Sequence, residues 1–252
     1  MPRAWNHFLT ALMLLTRVPV SRWCVYSPEA VAAAVAYFPA VGALVGASGA
    51  IALAMAAPSL PAKVAILVSM LTTVLITGAY HEDGLADAAD GLFGGSSPAR
   101  RLEIMKDSRL GNFGAIALWF GFSAKFYLLD SLLLKGLPLA ISAIIAGHAL
   151  ARASAVAVMH LQPHVGLDTT RSHPFCRRLN KQQLIGALLP PALLVVFFFN
   201  TAGVPIIAAN ALCVFLAATF FQRRIGGITG DCLGATVQIS EITTLLVLLT
   251  RA

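Results

Sequence analysis

Six of the chain's eleven acidic residues, Glu82, Asp83, Asp87, Asp90, Glu103 and Asp107, fall between positions 82 and 107. In Tyr80-His-Glu-Asp-Gly-Leu-Ala-Asp-Ala-Ala-Asp-Gly91 the spacing i, i+4, i+7 puts Asp83, Asp87 and Asp90 within an arc of about 60° on one helix face. Carboxylates so close repel by roughly 4 kcal/mol per pair at ~4 Å and an effective dielectric near 20. A divalent cation relieves that repulsion, and all-oxygen donors select a hard ion, Mg²⁺ first, with Mn²⁺ or Ca²⁺ as substitutes. Asp83, Asp87 and Asp90 are therefore the expected metal ligands. The competing reading is a solvated acidic helix end neutralised by Arg100, Arg101, Lys106 and Arg109. Small or apolar residues at 85, 86 and 88 leave the carboxylates as the only polar stripe, which favours the metal.

Gly84 and Gly91 remove side chains beside these carboxylates, so that a phosphate or a neighbouring helix can approach the backbone. Ser97-Pro98 reads as an N-cap followed by proline at the first helical position. The short helix it opens, Ala99 to Ser108, carries Arg101, Glu103, Lys106 and Asp107, with Arg109 just beyond. Cations beside a metal-carboxylate cluster suit an anionic substrate gripped from both sides, as in phosphoryl transfer. A second glycine-rich segment, Arg223 to Gly234, contains Asp231 and two arginines, and its amides can wrap a phosphate as the far wall of one site.

Other polar groups sit inside apolar stretches, where they are costly and often functional. Lys125 and Asp130 are expected to pair with each other. Arg152, four residues after His148, either pairs inside the bundle or reaches a phosphate. Glu241 stands three residues after Gln238, and His160 and His164 read as interfacial. Cysteines 24, 176, 213 and 232 show no C-x-x-C pair and no zinc spacing, and His173-Pro-Phe-Cys176 is the closest approach to a ligand pair. They read as plain thiols in a reducing compartment.

The elements that hold these residues lie in lipid. Of 252 residues, 58% are hydrophobic and 12% charged, against about 25% charged in an ordinary soluble chain, and the mean hydropathy is +0.80. No Asp, Glu, Lys or Arg occurs between Glu29 and Lys63 or between Lys181 and Arg223, and a span needs only about 20 apolar residues. Asn200-Thr-Ala-Gly-Val-Pro205 breaks the second gap as a turn, giving a helical hairpin. The pattern predicts seven spans, at 30–57, 62–80, 113–134, 138–160, 183–200, 205–222 and 237–250. The amino end, Met1 to Arg22, has only a short apolar run and no small-residue cleavage site, so it reads as an interfacial or re-entrant helix rather than a removed signal. The fold class is all-α: a polytopic membrane bundle of about six or seven spans, with 1–252 as a single membrane-embedded catalytic domain.

Basic residues concentrate in cytoplasmic loops. With the amino end inside, thirteen of the eighteen, among them Arg100, Arg101, Lys106, Arg109, Arg171, Arg177, Arg178 and Arg223, fall on that side, and only Lys63, Lys135 and Arg251 fall outside. The net charge of +7 thus follows from topology and attraction to anionic lipid, and nucleic acid is not an expected partner. An ion or metabolite transporter is the alternative of a different class. Transporters place carboxylates near the bilayer midplane between repeated halves, whereas this cluster lies at span ends and no repeat is visible.

The stretches Leu15-Thr-Arg-Val-Pro-Val20, Tyr37-Phe-Pro-Ala-Val-Gly42, His81 to Gly91, Arg101-Leu-Glu-Ile-Met-Lys-Asp-Ser-Arg-Leu-Gly111 and Thr229-Gly-Asp-Cys-Leu-Gly-Ala235 resemble the cobalamin synthase family, in family order from the first twenty residues to the last span. The resemblance implies a bacterial inner-membrane enzyme of late vitamin B12 synthesis that needs Mg²⁺. It would join adenosylcobinamide-GDP to α-ribazole, or to its 5'-phosphate, and release GMP, with the site facing the cytoplasm. On that reading Asp83, Asp87 and Asp90 bind metal, and Asp107 and Asp231 are further ligands or the base for the attacking hydroxyl. Arg101, Lys106, Arg109 and Arg152 hold the diphosphate beside Gly84 and Gly91, and Glu82 stands behind the ligands. The site is also similar to that of the CDP-alcohol phosphotransferases, although Asp87 and Ala88 stand where their D-G-x-x-A-R motif has alanine and arginine. A homo-oligomer is left open.

Overall fold

The structure, a computed structural model, describes residues 2–165 and 179–251. Arg171, Arg177, Arg178 and the His173–Cys176 pair lie outside the described residues.

The described chain is a bundle of α-helices: α1 Arg3–Leu15, α2 Pro28–Ala34, α3 Phe38–Ala56, α4 Ala62–Thr77, α5 Tyr80–Gly94, α6 Pro98–Met105, α7 Asn112–Lys135, α8 Leu137–Leu161, α9 Lys181–Phe199, α10 Gly203–Ile225 and α11 Gly230–Leu249. A 3-10 turn joins α2 to α3, so Pro28–Ala56 runs as one stretch. Ser27 and Ser97 cap α2 and α6, each accepting from the amide three residues on, with proline at the first helical position.

Among the described residues five stretches are long and apolar enough to cross a membrane, or six when the bent pair Ala62–Thr77 with Tyr80–Gly94 is taken as one span. One of the five, Lys181–Ile225, is 45 residues long, about 68 Å of straight helix against a hydrocarbon core near 30 Å. It turns back at Asn200, whose φ is 50°. Ala187 of α9 shares a core cluster with Val156 of α8, and Phe221 and Ile225 of α10 share one with Val158. Phe199 and Ile206, flanking the turn, pack instead with Ala140 and Ala143 at the other end of α8. The predicted hairpin is therefore present, and the protein is multi-pass. Its outer surface is apolar, with Trp119 64%, Tyr127 66% and Phe197 77% exposed, as lipid rather than water requires.

The second predicted span differs in a way that matters for the site. It stops at Thr77, and α5 leaves it at 85°. Gly78 and Ala79 both adopt left-handed backbone, at φ 69° and 59°, which ends one helix and re-aims the next. Arg17, in the segment after α1, locks this corner: its amide donates to the Ile76 carbonyl at 2.7 Å, and its side chain fills the space where a Gly78 Cβ would stand. The last span also begins earlier than predicted, at Gly230, because the Thr229 hydroxyl accepts from the Cys232 amide and caps it. Much of the expected phosphate-wrapping loop is thus helix.

Candidate active site

α5 runs antiparallel to α7, Glu82 lying beside Lys125 and Asp90 beside Gly111 and Gly114. It crosses α11 at Gly84 and Gly234. A Cβ on Gly84 would lie 3.2 Å from the Cα atoms of Asp231 and Gly234, so a larger residue would push the two backbones apart, and the close approach brings Asp231 to α5. Gly84 is therefore a helix-packing residue. Gly91 has the same role toward α6, where a Cβ would stand 2.8 Å from the Arg101 carbonyl.

The three aspartates of α5 do not act alike. Asp83 is exposed and Asp87 half-buried, and the charged groups bearing on Asp87 are Asp83, Asp231 and Asp90, all of one sign. Asp231 likewise feels the Asp83 charge and accepts from the Thr229 hydroxyl at 3.2 Å. Among the described residues no salt bridge reaches Asp83, Asp87 or Asp231. Asp90 is turned aside: its oxygens accept the Gly111 amide at 2.8 Å and the Gly114 amide at 2.9 Å, holding the amino end of α7, where a negative charge is favoured. The uncompensated trio is thus Asp83, Asp87 and Asp231 rather than Asp83, Asp87 and Asp90.

These donors match a hard cation in kind, three carboxylates of one sign with no opposing charge. They are not drawn up around an ion as placed: among the described residues no group of three or more His, Cys, Asp or Glu side chains is close enough to hold one.

The expected cations divide as well. Lys106 is exposed at the end of α6. Arg109 grips Asp107, its Nε donating at 3.0 and 3.1 Å and its Nη2 at 2.5 Å. That guanidinium pulls the Asp107 carboxyl down to about 2, which makes Asp107 a poor proton acceptor. Arg101 Nη1 donates to the Arg224 carbonyl at 2.8 Å, and its buried Nε has no partner among the described residues. Arg224 in turn donates to the Leu92 carbonyl, so the two arginines tie α5, α6 and α10 together.

Arg152 is placed otherwise than a diphosphate contact requires. It is 2% exposed and donates to Glu241. Glu241 also meets Lys125 Nζ at 3.1 Å and His148 Nδ1 at 2.8 Å. Lys125 reaches Gln238 at 2.6 Å and Glu82 at 3.8 Å, and Gln238 donates to Glu82 at 3.0 Å. The expected Lys125–Asp130 pair is not formed, because five residues along a helix is 140° around it. This buried network joins α5, α7, α8 and α11, and sequence reasoning missed it. Its signal was present: Lys125, Arg152 and Glu241 are ionisable groups in separate apolar spans, which must neutralise one another across the bundle.

The sequence profile of the cobalamin-5-phosphate synthase family matches residues 7–249. The chain is 39% identical over 249 residues to the adenosylcobinamide-GDP ribazoletransferase of Shewanella frigidimarina, covering 98% of this chain and 95% of the relative. It is 39% identical over 245 residues to the enzyme of that name from Ralstonia nicotianae, covering 95% and 93%. No solved structure matches it. A match from the first helix to the last, with relatives of the same length, places this chain in the cobalamin-5-phosphate synthase family.

Proposed function

We propose that this protein is an adenosylcobinamide-GDP ribazoletransferase acting as a single catalytic domain in the bacterial inner membrane, with its site toward the cytoplasm. The observation that carries the reading is the trio Asp83, Asp87 and Asp231, three uncompensated carboxylates gathered where α5 crosses α11, in a chain whose relatives carry that name.

The reaction needs an alcohol brought in line with a diphosphate. A hydroxyl of α-ribazole, or of its 5'-phosphate, attacks the phosphorus bonded to cobinamide. The bond from that phosphorus to the bridging oxygen breaks, and GMP departs with the electron pair. Asp231, at the first turn of α11, takes the hydroxyl proton. Lys106 and Arg109 meet the diphosphate from α6 and the segment after it. Asp83 and Asp87 would hold Mg²⁺, which supplies neutralisation of the charge that builds on the leaving phosphate. The Gly84–Gly234 contact fixes the distance between the two helices, so positioning follows from backbone packing rather than side-chain length.

The test uses the purified protein in a lipid bilayer with adenosylcobinamide-GDP, α-ribazole and Mg²⁺, resolving products by chromatography. Equal amounts of cobamide and GMP, both abolished by excess chelator, are expected. Absence of cobamide would overturn the reaction, and undiminished product under chelator would overturn the metal.

A further inference from the structure

Behind the crossing of α5 and α11 lies a cavity of about 280 Å³. Its walls are mostly apolar, with Leu15 of α1, Phe38 of α3, Ala155 and Met159 of α8 and Leu233 and Val237 of α11, and its polar members are Tyr80 and His81 of α5, Arg152 of α8 and His164. Gly230 and Gly234 also line it, so it opens against the backbone that carries Asp231, and half-exposed Tyr80 stands at that end.

His81 of α5 presents a ring donor to this cavity. The residue is 4% exposed. Its Nδ1 lies 3.4 Å from Arg152 Nη2, and a guanidinium can only donate, so the ring proton sits on Nε2. Nε2 has no hydrogen-bond partner among the described residues. Arg152 also lines the cavity but is held by Glu241 and His148. A donor with no protein partner on the wall of a largely apolar pocket selects a flat apolar group that carries one acceptor.

We infer that this cavity seats the heteroaromatic base of the nucleoside substrate, His81 Nε2 donating to the ring nitrogen that is not bonded to ribose. The inference rests on the reaction proposed above. The benzimidazole of α-ribazole has that one free nitrogen and two apolar edges. With the base seated, its ribose emerges past Tyr80 toward Asp231, where the hydroxyl must lose its proton. A corrinoid is too large for the space, so adenosylcobinamide-GDP must approach from the open side of the aspartates.

The test is binding to the full chain in lipid nanodiscs, followed by the intrinsic fluorescence of the nucleoside. Wild-type protein should bind α-ribazole at least tenfold more tightly than the matching indole riboside, in which C–H replaces the acceptor nitrogen. His81→Phe should remove that preference. Ala155→Leu, which fills the cavity, should weaken α-ribazole binding tenfold or more and leave adenosylcobinamide-GDP binding within twofold. The nucleoside comparison uses wild-type protein and so stands even where a variant fails to fold. Equal binding of the two nucleosides, or an equal loss for both substrates in Ala155→Leu, would overturn the pocket assignment. If wild-type protein makes cobamide yet binds the two nucleosides alike, the pocket alone is wrong; if it makes none, the reaction is wrong and the pocket falls with it.

Discussion

Glu82 and Asp83 are neighbours in sequence and belong to opposite kinds of electrostatic region. Glu82 joins a sealed set with Lys125, Arg152 and Glu241, each at most 8% exposed, in which two carboxylates face two cations and His148 and Gln238 fill remaining contacts. Asp83 faces the other way, toward Asp87 and Asp231, where every charge has one sign. A set whose charges offset one another holds helices together. A like-charged set without partners is complete only when something positive arrives, and that contrast separates scaffold from site more sharply than burial or motif does.

The contrast predicts its largest effect in the sealed set. Removing one member of a buried pair strands its partner, at a cost of roughly 3–5 kcal/mol. Glu241→Gln and Arg152→Met should each markedly lower the unfolding temperature in lipid nanodiscs. Combined, they leave Lys125 balanced by Glu82, so the double variant should lose clearly less than the sum; strict additivity would show that the set is not coupled. In the open set the order reverses. Asp83→Asn and Asp87→Asn should lower turnover by about 10²-fold or more while leaving the unfolding temperature unchanged or slightly raised, because like charges have been diluted. Wild-type turnover in both variants would move these residues to the scaffold side.

Asp90 sharpens the comparison, since it shares the motif of Asp83 and Asp87 but the bonding of the scaffold. Asp90→Asn weakens its hold on the first turn of α7, a change of about 1 kcal/mol, and should show in thermal unfolding with a smaller effect on turnover. A turnover loss equal to that of Asp87→Asn would return it to the metal. The smallest effect belongs to Asp107. Its carboxyl is held down to about 2 by Arg109, so what it adds is present above the ordinary carboxylate value and is lost only as pH falls toward 2. Asp107→Asn should leave the pH profile of turnover unchanged between about pH 5 and 9; a shifted acidic limb would assign it a titrating role.

Much of this was legible in the chain because charge is scarce in it. The two long charge-free gaps and the Asn200–Pro205 turn define spans and a hairpin without reference to any partner. The helical spacing of Asp83 and Asp87 placed them on one face, where the structure has them. Asp90 was not legible, because its partners are backbone amides more than twenty residues away, and amides leave no trace in side-chain spacing. The corner at Gly78-Ala79 was hidden for a related reason: an alanine at φ 59° is a conformation that the chain must be forced into, here by Arg17 and the packing of α1. Asp231 could be suspected but not ranked with Asp83 until the Gly84–Gly234 contact set the crossing.

The sealed charge set also constrains how the protein is made. During synthesis α7 enters the bilayer with Lys125 and α8 with Arg152, each a cation whose insertion costs about 3 kcal/mol near the middle of a span. Lys125 can lean on Glu82, which precedes it. Arg152 must wait for Glu241, which arrives only with α11. Until α11 leaves the ribosome the bundle holds an unneutralised arginine, so chains truncated before α11 should be retained poorly in the membrane and cleared by quality control.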